Sequence, residues 1–187
     1  MTDHGQLEYN ALRATIRERG TARVYVFAGG FAVWSGLMVA TAALAFSPLA
    51  TLLPLLFLAA AFEAVFALHV GVERIGRYIH VFHEPATAAQ PAIPQWEHAA
   101  AAFGRPKGAP ATDPIFSIPF LLAALFNIAP ALIVEPTRQE LIFVGGAHAL
   151  FIVRVLVARE SARRQRPIDQ GRFEQLKTGS AHVATKN

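Results

Sequence analysis

No cysteine occurs anywhere in the chain. Disulfides, thiolate nucleophiles, iron–sulfur ligation and cysteine zinc sites are therefore excluded. Charge is scarce too: Asp, Glu, Lys and Arg together make up 16% of the residues, where a soluble domain carries about a quarter. A phosphate-cradling glycine loop, a nucleophile elbow and a catalytic triad are also missing, so the sequence offers no catalytic residue, no cofactor site and no small-molecule substrate. The opening MTDHGQLEYNALRATIRERG lacks the apolar core of a cleavable signal peptide, and the N-terminus is expected to be retained. What remains is apolar. Hydrophobic residues reach 53% of the 187 positions, with a mean hydropathy of +0.36. They are gathered in blocks, which points to a bilayer rather than to one large soluble core.

Four blocks read as membrane spans. The first, Val24 to Phe46, is uncharged and at 1.5 Å per residue crosses the hydrocarbon layer. Its Ala28, Ala32, Gly36 and Ala40 form a small-residue ridge for a neighbouring helix. Pro48 stops it, because proline has no N–H to donate. The second span, about Thr51 to Val72, carries a second small edge at Ala60, Ala64, Ala67 and Gly71, and continues unbroken into a polar segment ending at Glu84. The third, Ile115 to Val134, contains Pro119, Asn127 and Pro130. The fourth, Leu141 to about Ala158, contains Gly145, Gly146, His148 and Arg154, and is expected to run on in water to Gln165.

The expected fold is thus all-α: a polytopic integral membrane protein, a four-helix transmembrane bundle built as two hairpins. Residues 1–22 form an amphipathic helix with Tyr9, Leu12 and Ile16 on one stripe. Residues 23–84 form the first hairpin with its extension, and 85–114 a Pro/Ala-rich loop holding a short interfacial helix from Pro94 to Phe103. Residues 115–166 form the second hairpin, and 167–187 a mostly disordered tail. Every lysine and arginine except Arg138 lies in the N-terminal segment, between spans two and three, or from Arg154 onward. Basic residues favour the cytoplasmic side, so both termini and the long loop are expected there. The net charge of +4 follows from these flanks. Nucleic acid is not expected as a partner, since no basic face interleaves with aromatics.

Two constellations could carry chemistry. Glu63 lies about twelve residues into its span and Arg154 about fourteen into its own, so the two are expected to pair at similar depth. His148 and Asn127 are expected as further hydrogen-bond partners of that pair. Such a pair either fixes how the hairpins dock or relays protons or ions. The second constellation is the helix face of His69, Glu73, Arg77, His80, His83 and Glu84. Imidazole and carboxylate at three- and four-residue spacing ligate zinc or iron in some helices, and salt bridges fill such a face in others. A bis-histidine haem site at His69 and His148 would place its ligands at different depths. Arg13, Arg17, Arg74, Arg77, Arg159, Arg163 and Arg164 are candidates for lipid phosphate or for docking a partner.

The segment LEYNALRATIRERG, then an apolar hairpin, then ERIGRYIHVFHE, resembles small uncharacterised bacterial membrane proteins. Those open with a Glu-Tyr-x-x-Leu-Arg helix and close a hairpin with Ile-Gly-x-Tyr-Ile. The resemblance covers about the first 84 residues. It implies a hairpin with cytoplasmic helical flanks in a bacterial cytoplasmic membrane, and it implies no substrate. A likeness to two-span pore-forming effectors of bacterial defence ends where the second hairpin begins. The expected role is a non-catalytic accessory or scaffold subunit, packing in the bilayer against itself or a larger membrane complex. One alternative is an ion- or proton-conducting pore using Glu63, Asn127, His148 and Arg154. Another is a metal-dependent membrane enzyme with ligands on the His69–Glu84 face.

Overall fold

The computed structural model describes residues 3–44, 47–83 and 114–184, and these are helices and short turns. Helix α1 spans Asp3–Leu44, a 3₁₀ turn covers Pro48–Thr51, and α2 spans Leu52–Phe82. Helix α3 spans Pro114–Asn127, the one-turn α4 spans Ala129–Ile133, and α5 spans Arg138–Ala184. Three of these helices are long and apolar enough to cross a membrane, and a shorter apolar stretch runs from Ser117 to Ile133. The expected interfacial helix at Pro94–Phe103, with Glu84, Trp96, Arg105 and Lys107, lies outside the described residues.

Local chemistry sets the boundaries. The Ser47 hydroxyl accepts from Leu49 N at 3.3 Å, and the Thr51 hydroxyl donates to the Pro48 carbonyl at 2.8 Å. Both bonds hold the 3₁₀ turn that Pro48 begins. Helix α3 stops because Pro130 brings no N–H and its ring crowds the carbonyl four residues back. The chain resumes as α4 with Pro130 in its first turn. Glu135 then takes a left-handed φ of 50°. Thr137 caps α5 reciprocally: its N–H donates to Glu140 Oε2 at 3.0 Å, and Glu140 N donates to Thr137 Oγ1 at 3.3 Å.

Two expected boundaries are not observed. The N-terminal amphipathic helix and the first span form one continuous α1, since Gly20 merely lowers helix propensity and breaks nothing. Helix α5 passes through Pro167 to Ala184 where a disordered tail was expected. Tertiary pins on both sides of Pro167, set out below, hold the turn that the proline weakens.

The chain divides into two compact units: Ala22–Leu68 with Thr112–Ser161, and Met1–Thr21 with His69–Ala111 and Ala162–Asn187. The first is apolar. Leu55, Leu58, Phe62 and Val65 of α2 fall on one helical stripe, as do Phe151, Val155 and Ala158 of α5, and both stripes meet Phe120, Ala123 and Ala124 of α3. Phe120 is the hub, with Phe31, Phe62 and Phe27 ring centroids at 5.1, 5.3 and 5.8 Å. Outward, large apolar side chains such as Val39, Leu44, Ile133 and Leu150 stand open. That is the surface of a protein surrounded by acyl chains, and the protein is a membrane protein.

Helix α1 reaches this core through Phe27, Phe31 and Trp34, with Gly30 between them, against Ala61 of α2. The expected ridges point elsewhere. Ala28, Ala32, Gly36 and Ala40 are all exposed, as are Ala60, Ala64 and Ala67. Small residues permit close approach but do not select a face, and here the aromatic side of α1 has more area to bury.

The second unit is polar. Tyr78 OH donates to Glu8 Oε1 at 2.9 Å, and Tyr9 and Tyr78 flank the His83 ring at 5.8 and 5.7 Å. Tyr9, Leu12 and Ile16 are half-buried, so the amphipathic stripe of α1 turns toward its own chain. Phe173 packs edge-on to Tyr78 at 5.6 Å, and Lys177 Nζ donates to the Val81 carbonyl at 2.6 Å.

Candidate functional site

Glu63 and Arg154 face each other from α2 and α5. Arg154 Nη2 donates to Glu63 Oε2 at 2.7 Å, and the guanidinium carbon lies 5.8 Å from the Phe66 ring centroid. The side chains are 48% and 44% exposed, so the pair sits on the outer surface of the apolar unit rather than in its core. Around it on α2 are Ala60, Ala64 and Ala67; on α5 the exposed neighbours are Leu150, Val153 and Val157. In water an open pair of this kind contributes about 0–1 kcal/mol. Among acyl chains each ion instead carries a desolvation cost of several kcal/mol that one hydrogen bond offsets only in part.

Asn127 and His148 do not join that pair, contrary to expectation. They form a separate, buried cluster with Trp34 and Thr51. Asn127 Nδ2 donates to the Thr51 carbonyl at 2.8 Å and to His148 Nε2 at 3.0 Å, while Asn127 Oδ1 accepts from Trp34 Nε1 at 3.0 Å. His148 Nδ1 lies 2.8 Å from the Val144 carbonyl. A carbonyl there requires an N–H opposite it, so the imidazole is the neutral Nδ1–H tautomer with Nε2 accepting. Every polar atom of the amide has a partner, and one side chain ties α1, the 3₁₀ turn, α3 and α5 together. The sequence held a signal for this. Asn127 is seven residues from Val134 and His148 seven from Leu141, which places them at one depth, and a buried indole N–H needs an acceptor. Among the described residues no hydrogen bond links this cluster to Glu63 or Arg154, so the four residues of the pore alternative separate into two pairs.

Charge pairs take up Glu73, Arg77, His69 and His83 of the His69–Glu84 face. Glu73 accepts from Arg166 through both oxygens, at 2.7 and 3.1 Å, and lies 3.4 Å from Arg77 and 3.6 Å from His69. Asp169 accepts from Arg77 at 2.9 Å, Arg74 at 3.3 Å and Gln165 at 2.9 Å. Glu73 to Arg166 and Asp169 to Arg77 are the pins on either side of Pro167. His83 Nε2 lies 3.5 Å from Glu8 Oε2, and Glu84 lies outside the described residues. Among the described residues no three His, Asp or Glu side chains converge on one point. Arg77, only 15% exposed and held by two carboxylates, is not available to lipid phosphate. Arg74 is exposed yet bound to Asp169, Arg13 lies over the Tyr9 ring, and Arg17, Arg163 and Arg164 are exposed. Arg159 is half-buried.

Burial pushes the Asp169 carboxyl up, but hydrogen bonds from Gln165, Arg77 and Arg74 outweigh it and hold the group below the usual aspartate range. A carboxylate with a lowered folded pKa contributes stability that is complete above its unfolded pKa and lost as pH falls through the folded value. Acidification below about pH 4 is therefore expected to lower the protection of amides in residues 168–184, measured as exchange relative to the intrinsic rate at the same pH. Asp169→Asn should show the lower protection already at neutral pH and lose this part of the pH dependence. Equal exchange in variant and parent at neutral pH would show that the pin does not hold α5 beyond Pro167.

Comparison with protein families, curated proteins and solved structures finds no match to the chain.

Proposed function

We propose that the chain is a non-catalytic accessory or scaffold subunit of a bacterial cytoplasmic membrane, packing in the bilayer against itself or a larger membrane complex. It crosses four times, with α3 and α4 together as the third span and both termini in the cytoplasm. The observation that carries this is the half-open Glu63–Arg154 pair on an otherwise apolar surface. Acyl chains offer that pair no hydrogen-bond partner, whereas a neighbouring protein surface does. The topology has separate support. The N-terminal segment, the end of α2 and the end of α5, which hold most of the basic residues, gather in one compact unit, as same-side segments must.

The test is extraction from native membranes in mild detergent, with identification of what accompanies the chain. An assembly containing a second protein or several copies is expected; a lone monomer would end the scaffold reading. Glu63→Gln is expected to weaken that assembly and to leave proton flux through proteoliposomes at the level of empty vesicles. Flux that the parent conducts and the variant does not would instead support the relay.

A further inference from the structure

We infer that the neighbour covering the Glu63–Arg154 face is a second copy of this chain, related by a two-fold axis along the membrane normal; this rests on the scaffold reading above. Arg154 uses one nitrogen, Nη2, and Glu63 one oxygen, Oε2, in their mutual bond. Glu63 Oε1 and Arg154 Nε and Nη1 make no further hydrogen bond among the described residues, and both side chains are close to half exposed. The face thus presents an unfilled acceptor beside unfilled donors. It asks for a partner with a donor and an acceptor at the same depth.

A second copy meets that demand by geometry alone. Glu63 and Arg154 are in contact, so they share one depth, and a two-fold axis along the normal preserves depth. Glu63 of one protomer then meets Arg154 of the other, and the reverse contact follows from symmetry. The helix surface also allows the approach. Ala60, Ala64 and Ala67 stand exposed on either side of Glu63, and no side chain there extends past Cβ to hold two α2 helices apart.

The absence of cysteine lets single thiols report on the contact in native membranes. Ala64→Cys is expected to form a disulfide-linked dimer at no less than about five times the yield of Ala32→Cys on the exposed ridge of α1, since the bond needs Cβ atoms within about 4.5 Å. Exchange of charge between chains is tested by co-expressing differently tagged Glu63→Gln and Arg154→Gln chains. A mixed pair regains one Glu63–Arg154 contact and sets the two glutamines together, whereas a like pair strands two equal charges. Mixed dimers should therefore exceed the half share that random pairing gives. Random pairing, or cross-linking through Ala32→Cys instead, would overturn this interface while leaving the scaffold reading in place. A single copy recovered with a different protein would do the same. A lone monomer, with no cross-link at either face, would overturn both.

Discussion

Asn127→Leu is expected to cost the protein about 2–4 kcal/mol, the largest loss from any single polar substitution in the apolar unit. The change strands three groups together: the Trp34 indole N–H, the Thr51 carbonyl and His148 Nε2. A buried group left without its partner costs about 1–3 kcal/mol in water-soluble proteins. Single interhelical hydrogen bonds in lipid average nearer 0.6, because the unfolded chain in the membrane also finds partners. Three losses on the lower scale and three on the higher bracket the figure given. For a chain of this size such a loss lowers the thermal midpoint by roughly 5–15 °C, readable in detergent through the fluorescence of Trp34 in a Trp96→Phe background.

The pattern across the cluster is more diagnostic than any one value. Trp34→Phe strands only the Asn127 oxygen, and His148→Leu leaves the amide nitrogen its bond to Thr51. Each is expected to cost about 1 kcal/mol. The double change Asn127→Leu with His148→Leu should cost little more than Asn127→Leu alone, since the second substitution removes an acceptor that the first has already orphaned. Strict additivity would mean that the four residues stabilise the unit independently, and the tie across helices would then have no energetic meaning.

How far the sequence revealed this arrangement depends on which physical signal each residue leaves. Apolar runs and proline stops are local, so the long apolar helices and the turn at Pro48 were legible from the residues alone. Depth is nearly local as well, and counting residues from the outer turns was enough to suggest Glu63 opposite Arg154. The direction a residue faces is not local. Ala28, Ala32, Gly36 and Ala40 recur with the right spacing for packing, yet they lie exposed, because the opposite face of α1 offers Phe27, Phe31 and Trp34 to the core. Exposure of the Glu63–Arg154 pair was equally hidden, for a charge in an apolar run implies a partner without saying whether the two are enclosed.

The polar unit shows the reverse case. Pro167 is a strong local stop signal, and it was overridden by contacts made at long range. Asp169, Phe173 and Lys177 fall at four-residue spacing on one helix face, and each meets α2, at Arg77, at Tyr78 and Phe82, and at Val81. That periodicity was present in the sequence, but in a stretch so polar that it read as solvated tail. Of the acidic and imidazole groups on α2 that suggested metal, Glu73 binds this returning helix through Arg166, His69 lies against Glu73, and His83 faces Glu8 of α1. Charge pairing and metal ligation draw on the same residue types, and here Arg166 of α5 takes both oxygens of Glu73.

Gly30→Leu is the second substitution with a large expected effect, about 3 kcal/mol, and it tests where α1 meets α2. A Cβ at position 30 would stand 2.5 Å from the Ala61 Cβ, well inside the 3.5–4.0 Å of comfortable carbon contact. The helices would have to part, drawing Phe27 and Phe31 away from Phe120 and loosening the hub. Gly30→Ala gains about 1 kcal/mol in helix propensity against a clash of similar size, so its net effect is smaller. Adding Ala61→Gly removes the clashing methyl and should restore the parent stability. The sharper control is one residue away. Gly29 and Gly36 have nothing within 4 Å of an added Cβ, so Gly29→Ala and Gly36→Ala should stabilise α1 by up to about 1 kcal/mol through propensity alone. If instead Gly36→Ala destabilised the chain and Gly30→Leu did not, the exposed ridge would be the packed face of α1 and the aromatic face the one turned to lipid. The Trp34 contact with Asn127 would then have to break, because Trp34 stands one helical turn beyond Gly30 on the same side. Stability of the Gly30 variants and the fluorescence of Trp34 therefore rise or fall together, and a variant that separated them would show that the two contacts do not share a helix face.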